Sequence, residues 1–350
     1  MNNPWRRHLP GVRLCPFFFL LSVLAASYGC VGGHALVARD TAELPPAGAR
    51  ISWFTPANMA DRTPLARWRG SVGPPVVVGS TVSDSQPHDA LTIVSWNTAV
   101  GAADIVGFVR SLPNPRGPLI LLLQETYRDG PGVPAHPELG FAFARPLGGP
   151  PLNSSDRDIE DVARELDLTA YYVPSMRNGG LTSQQDRGNA ILSSLPLDEL
   201  SAIELPFERQ RRVAIAATVA GHTRAGTPWS LRVASVHLDN LGGMRRAWVA
   251  AEYGRARQAR SLTDVLSGSD PTILAGDFNT WFGFSDQAYI ETARAFPDTR
   301  VIDRRATFRG LLRLDHMFFR LAQGWHMEVH RAPSTFGSDH YPLVGTLRFN

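Results

Sequence analysis

The stretch Leu274-Ala275-Gly276-Asp277-Phe278-Asn279-Thr280 sets the terms on which the rest of the chain is read. Thr272-Ile273-Leu274 is apolar enough for a buried strand, Gly276 breaks it, and an extended backbone beyond would present Asp277 and Asn279 on one side. A carboxylate and an amide that point the same way suit a water that must be aligned and deprotonated beside a phosphate, whose oxygens accept from neutral donors as well as from cations. Alone, Asp-x-Asn equally describes an Asx turn that closes a strand. The company it keeps decides between these readings.

Outward from this stretch, the chain from Ala90 onward alternates short β-branched runs with helices and Gly/Pro turns. Leu91 to Trp96 reads as a strand ending at Asn97, Gly101 to Ser111 as a helix, and Leu119 to Leu123 as a fully buried strand ending at Gln124-Glu125. Asp158 to Leu166 has an amphipathic helical pattern. Ala170–Val173, Asn189–Ser193, Val213–Val219 and Leu231–Val236 are strand-like, an Arg-rich helix covers Trp248 to Val265, and further strands fall at Asp315–Phe319 and Leu343–Phe349. Sheets covered by outer helices follow from this alternation. Val31 to about Asp89 is rich in Pro, Gly and Ser and reads as a tether with a few short packed segments, Trp53, Trp68 and Val76-Val77-Val78 among them.

Asn97, Glu125, His237, Asp277 with Asn279, Asp315 and Asp339-His340 each stand at or beside the end of an apolar run. Strand ends converge on one rim of a sheet, so residues scattered through the sequence can meet in space. Singly, each has a plain explanation: Glu125 could cap a strand, His237 could be a bonded core histidine, and Asp315 could pair with Arg313.

Together they resemble the endonuclease/exonuclease/phosphatase superfamily, the metal-dependent phosphoesterases that include deoxyribonuclease I, sphingomyelinases and inositol polyphosphate phosphatases. The resemblance rests on Ser95-Trp96-Asn97, Leu123-Gln124-Glu125, Gly188–Ser193, Ser235-Val236-His237-Leu238, Gly276-Asp277-Phe278-Asn279, Arg313–Phe318 and Ser338–Pro342, in family order over 89–350. It implies a deoxyribonuclease I-like α/β fold, a four-layer α/β sandwich of two packed mixed β-sheets flanked by helices. It also implies Glu125 as the main ligand of a Mg²⁺ or Mn²⁺ ion, with Asn97 and Asp339 beside it. Asp277 would orient or deprotonate the attacking water, Asn279 would donate to a phosphate oxygen, His237 would donate to the phosphate or leaving oxygen, and His340, held in its tautomer by Asp315, would be the general acid/base or a phosphate-binding imidazolium. Whether Asp277 or His340 takes the water's proton stays open.

The resemblance implies an enzyme that hydrolyses a phosphodiester by in-line attack, acting as a monomer on nucleic acid or phospholipid. A sphingomyelinase-like phospholipid hydrolase or a phosphomonoesterase is the alternative, and an inactive binding module of the same fold is a second. Val236-His237-Leu238-Asp239 departs from the Tyr-containing motif of the abasic endonucleases, and Leu314-Asp315-His316-Met317 from the Trp-Cys-Asp-Arg motif of the inositol phosphatases. Arg209, Arg211 and Arg212, with Arg245, Arg246, Arg255, Arg257 and Arg260, either line a phosphate backbone or form solvated faces. Trp281, Phe282 and Phe284, with Trp248 and Tyr253, are a rim for bases or lipid, or simply core.

The N-terminus carries Arg6, Arg7 and Arg13, then an apolar run from Phe17 to Ala26 and small residues up to Gly29-Cys30, which is the pattern of a signal peptide over 1–29. Cys30 could bear the lipid of a bacterial lipoprotein, so the expected locations are periplasmic, extracellular or lipid-anchored at the cell envelope. Residues 30–88 are the tether and its packed segments. Both cysteines, Cys15 and Cys30, belong to the leader region, so no disulfide is expected beyond it. Removing three arginines and no acid lowers the formal charge from +3 to zero, leaving 32 residues of each sign, which argues against an obligate nucleic-acid binder. The absence of Lys reads as a genomic bias.

Overall fold

The computed structural model describes residues 33–39, 42–44, 49–79, 86–113, 117–130, 132–135, 157–178, 184–240 and 248–349. The signal-peptide and lipidation readings, Arg245 and Arg246 lie outside them. In chain order the strands are β1 (Leu36–Ala38), β2 (Ala42–Leu44), β3 (Ala49–Pro56), β4 (Val76–Val78), β5 (Ala90–Asn97), β6 (Leu119–Asp129), β7 (Thr169–Asn178) and β8 (Gln185–Ser193). They continue as β9 (Asp198–Glu204), β10 (Val213–His222), β11 (Pro228–His237), β12 (Thr272–Asp277), β13 (Asp315–Arg320), β14 (His326–Arg331) and β15 (Leu343–Arg348). The helices are α1 (Met59–Arg69), α2 (Ile105–Ser111), α3 (Ile159–Glu165), α4 (Trp248–Val265) and α5 (Gln287–Ala295).

Within the compact unit His34–Asn350, the strands form two mixed sheets. One has eight strands in the order β1-β3-β9-β10-β11-β12-β13, with β2 paired to β3; the other has seven in the order β14-β15-β5-β6-β8-β7-β4. The period-2 alternation of strands sorts their side chains into three apolar layers. Ile93, Ile120, Leu122, Ile215, Val233, Ile273 and Ala275 fill the space between the sheets. Their neighbours Val94, Leu121 and Leu123 turn outward onto Ile105, Phe108 and Val162 of α2 and α3. Leu274, Ala234 and Phe318 turn the other way, onto Ala259, Leu262 and Ala288 of α4 and α5. This is the expected helix–sheet–sheet–helix sandwich of the deoxyribonuclease I type. Truncating one of these fully buried Leu or Ile side chains to Ala would cost about 2–5 kcal/mol.

Local chemistry fixes the ends of the elements. Asn58, Asp104, Asp158 and Asp286 each place a side-chain oxygen on a backbone N–H of the first turn, capping α1, α2, α3 and α5. Gly276 does not break β12, as the sequence suggested; the strand runs through it to Asp277. A Cβ at this position would meet the Val236 carbonyl oxygen of β11 at 1.9 Å, so the glycine permits the two strands to approach.

The segment before β5 holds more regular structure than its Pro, Gly and Ser content suggests. β3 runs parallel to β9 at Ser52–Phe54, and β4 pairs antiparallel with β7, so this region extends both sheets. Two buried carboxylates tie it down: Glu204 accepts from Thr55 Oγ1 at 3.1 Å, and Asp186 from the Gly73 N–H at 2.7 Å.

Candidate active site

Strand register assembles the site. His237, Asp277 and Asp315 are side by side on β11, β12 and β13: His237 pairs with Asp277 in the parallel ladder and Asp277 with Asp315 in the antiparallel one. On the other sheet Asn97 of β5 pairs with Gln124 of β6. The β6–β8 register then shifts between Leu123 and Thr126, and Glu125 sits in that bulge with φ +52°. A bulge re-aims the side chain it carries. Asn97 joins the sheets by donating from Nδ2 to Asp277 Oδ2 at 3.0 Å.

The Asp339-His340 loop closes over this junction. Ser338 Oγ donates to the Asn97 carbonyl at 2.7 Å and accepts from the His340 N–H at 3.0 Å, and Trp96 Nε1 donates to the His340 carbonyl at 3.0 Å. His340 Nδ1 meets Asp315 Oδ2 at 2.8 Å, while Nε2 faces Asp277 Oδ2 at 3.8 Å and Asp339 Oδ1 at 3.9 Å. His237 faces Asp277 Oδ2 with Nε2 at 3.5 Å and Glu125 Oε1 with Nδ1 at 3.7 Å.

Beyond Asp277 the backbone is not extended. Asn279 has φ +50°, and its N–H donates to Asp277 Oδ1 at 2.9 Å. The Asx turn read from the sequence is therefore present, and Asn279 Nδ2, expected to donate to a phosphate oxygen, donates to the Leu238 carbonyl at 3.0 Å. Asp315 pairs with His340 and not with Arg313, which donates from Nη1 to the Arg305 carbonyl.

Burial and charge set the protonation states. Burial and the neighbouring Asp315 charge raise Asp277, against the His340 charge and the donors Asn279 and Asn97, to about 7. Burial alone would lower His340; the charge and hydrogen bond of Asp315, then Asp277 and Asp339, override it and raise the imidazole to about 10. His237 goes the other way: burial, then the Arg212, His340 and Arg187 charges, hold it well below the usual imidazole range. At neutral pH the site thus holds an imidazolium, a neutral imidazole and a carboxylate near its own midpoint.

The donor chemistry fits a hard divalent cation. Glu125 is one-quarter exposed, and its carboxylate accepts no hydrogen bond among the described residues, the nearest approach being His237 at 3.7 Å. Asn97 and Asp339 add oxygens, though Asn97 Oδ1 already accepts from the Ala99 N–H and Asp339 Oδ2 faces Arg309 Nη2 at 3.2 Å. Asp277, Asp315 and His340 also offer ligand atoms within 4.8 Å of one another, and could hold a cation at the expense of the His340 proton.

The arginines and aromatics flagged in the sequence divide. Arg211 is locked to Glu204, Arg255 to Asp286 at 2.7 Å, Arg257 to Asp61 and Glu208, and Arg260 to Glu291, so these positions hold the fold. Arg212, the next residue after Arg211, is 5% exposed, and its charge helps to hold His237 below the usual imidazole range. Phe284 packs with Tyr289 and His316, Trp281 Nε1 donates to the Asn240 carbonyl, and Phe282 stays exposed. Sequence reasoning missed the positioning roles of Trp96 and Ser338, although both stand inside the quoted motifs.

Two mixed sheets back to back, with Asn, Glu, His and Asp gathered at one end of them, define the deoxyribonuclease I-like class of phosphoester hydrolases. The chain belongs to the Endonuclease/Exonuclease/phosphatase family, which it matches over residues 94–340. It is 35% identical over 109 residues to a UPF0294 protein of Vibrio vulnificus (strain YJ016), covering 30% of this chain and 37% of that protein. A UPF0294 protein of Vibrio cholerae (El Tor Inaba N16961) is 34% identical over 114 residues, 31% of this chain and 38% of its own length. The match thus spans well under half of these relatives. An endonuclease/exonuclease/phosphatase structure from Beutenbergia cavernae superposes with a TM-score of 0.55 at 18% identity, over 75% of this chain and 72% of that one.

Proposed function

We propose that this protein is an exported, Mg²⁺- or Mn²⁺-dependent phosphodiesterase that hydrolyses its substrate by in-line attack of an activated water. The observation that carries the reading is Asp277. It is 2% exposed, bonded to Asn97 and the Asn279 N–H, flanked by two histidines, and its proton affinity is raised to about 7. A carboxylate so placed is a general base matched to neutral pH. His340 already holds its proton, which favours Asp277 for the water's proton and leaves His340 to donate to a phosphate or leaving oxygen. Neutral His237 offers an N–H on the other side. The water oxygen attacks phosphorus, its proton goes to Asp277, and the bond to the leaving oxygen breaks without a covalent enzyme intermediate. A divalent cation held by Glu125, with Asn97 and Asp339 beside it, would neutralise charge on the phosphate.

Hydrolysis of bis-p-nitrophenyl phosphate with Mg²⁺, Mn²⁺ or EDTA tests this reading. Turnover that needs the metal is expected; folded protein inert with every metal would instead be the binding module.

A second reading takes phospholipid as the substrate. Leu311, 80% exposed, is in the turn that follows Phe308, which bridges to His340, and Phe282, 45% exposed, comes three residues after Asn279. Apolar side chains at the rim suit an interface more than a polyanion. Comparing plasmid DNA, RNA and sphingomyelin vesicles at one ionic strength separates the two. Export and lipid attachment rest on the leader pattern, and the intact mass of membrane-extracted protein tests lipidation of Cys30.

A further inference from the structure

Arg211 and Arg212 are consecutive, and both are buried, at 1% and 5% exposure. Arg211 is fully engaged: Nε donates to Glu204 Oε1 at 2.9 Å, and Nη1 to the Pro174 and Ser175 carbonyls at 2.7 and 3.1 Å. Arg212 is the reverse. Among the described residues its guanidinium makes no hydrogen bond and no ion pair, and its buried Nε lacks a partner. Of the five N–H donors of a guanidinium, the one on Nε is buried and unmatched here, and an unmatched buried donor is costly.

Its place in the fold is set from three sides. The Leu205 N–H donates to the Arg212 carbonyl at 2.9 Å, closing the β9–β10 connection. That connection is pinned by the Arg209 and Gln210 N–H groups, both donating to Asp239 Oδ2 at 3.1 Å, two residues beyond His237. The next carbonyl, of Val213, accepts from Asn189 Nδ2 at 2.7 Å, and Asn189 stands on β8 between Gly188 and Ala190, opposite the bulge that carries Glu125. Arg212 acts on His237 more strongly than any other charge does, and its own field partners are Asp239, Glu125, Arg187 and Asp277.

We infer that Arg212 is an anion anchor of the active site, whose guanidinium takes a non-bridging oxygen of the substrate phosphate on the side of His237. The inference rests on the phosphoesterase reading and adds to it a permanently charged, fork-shaped donor, so that the preferred ligand is an anionic phosphate presenting two free oxygens. Arg212 would bind and orient the phosphate while Asp277 and His340 move protons. The competing role is purely structural, a counter-ion that keeps Glu125, Asp239 and Asp277 ionised.

Titration of inorganic phosphate into the full chain separates the two roles, read by thermal shift and as inhibition of bis-p-nitrophenyl phosphate hydrolysis. The proteins to compare are wild type, Arg212→Lys, Arg212→Met and Arg212→Ala. An anchor predicts phosphate affinity weakened at least tenfold in Arg212→Met and less in Arg212→Lys, with kcat/KM down roughly 10²-fold in Arg212→Met. It further predicts that added guanidinium ion partly restores phosphate binding to Arg212→Ala. Wild-type phosphate affinity in Arg212→Met, with only the acid limb of the pH–rate profile moved upward, would establish the counter-ion role and overturn the anchor. If Arg212→Met does not fold, Arg212→Lys decides: undiminished affinity there also overturns it. Arg212-dependent phosphate binding without any phosphoester turnover would leave the anchor standing and remove the phosphodiesterase reading. Turnover with Arg212-independent phosphate binding would do the opposite.

Discussion

Two buried carboxylates, Glu204 and Asp277, end β9 and β12 of the same sheet, with two strands between them, and meet opposite fates. Glu204, fully buried, accepts from Thr55 Oγ1, from Arg69 and from Arg211, and these charges and donors overcome burial and hold its pKa below the usual value. Asp277 is nearly as buried but receives one side-chain amide and one backbone N–H, while the closest cation, His340, is already bonded to Asp315. Its pKa rises to about 7. Equal burial thus gives an inert, saturated ion cluster in one place and a basic carboxylate in the other, and the number of committed guanidinium groups makes the difference.

The comparison breaks most visibly at Asp277. Asp277→Asn keeps the shape but not the basicity, so kcat should fall by up to about 10⁴-fold, the upper end for a general base. Stability should respond in the opposite sense. A carboxylate whose folded pKa is raised contributes stability fully present below its unfolded value of 3.8 and lost as pH rises through about 7. Relative to wild type, Asp277→Asn should therefore gain stability between pH 4 and 8, measured by denaturant midpoints. A variant that kept its activity would remove Asp277 from the chemistry.

Glu204→Ala should do the reverse. It leaves the Arg69 and Arg211 charges without their carboxylate, at a cost of about 3–5 kcal/mol, while turnover per folded molecule stays near wild type. Unfolding curves and activity normalised to folded fraction check both halves. A loss of kcat greater than the loss of folded protein would mean that the two clusters are coupled.

A smaller change sharpens the comparison within the site. Asp315 is the main reason that His340 stays charged against its burial. For wild type, kcat/KM is expected to rise with pH through about 7 as Asp277 ionises and to fall through about 10 as His340 loses its proton. Asp315→Asn should draw the upper limb down toward neutrality and lower the maximum by about one to two orders of magnitude. An unmoved upper limb would show that another group sets it.

Much of this was legible from the sequence because strands buried on both faces announce themselves as apolar runs, as Leu119–Leu123 and Thr272–Leu274 do, and because their polar ends converge. Other parts were hidden for physical reasons. β9 begins Asp198-Glu199-Leu200, and β14 alternates His, Glu and His with apolar residues at an exposed edge, so neither forms an apolar run. The bulge at Glu125 and the left-handed Asn279 depend on neighbouring strands, which local sequence does not encode. Arg211 and Arg212 carry the same letter, and only the fold tells the bonded guanidinium from the one whose buried Nε has no partner.

The smallest effect isolates what makes Glu204 so costly to remove. Arg348 Nη1 and Glu328 Oε1 are 3.4 Å apart across β15 and β14, with side chains 38% and 62% exposed. The contact is the same kind of pair, a carboxylate against a guanidinium, but water already solvates both partners and salt screens them. Glu328→Gln should therefore cost less than about 1 kcal/mol and leave kcat unchanged. Its effect should also shrink in high salt, whereas that of Glu204→Ala should not. Equal costs at the two sites would mean that pairing, and not desolvation, governs the Glu204 cluster. The contrast with Asp277 would then have to come from its particular neighbours, chiefly the proximity of Asp315.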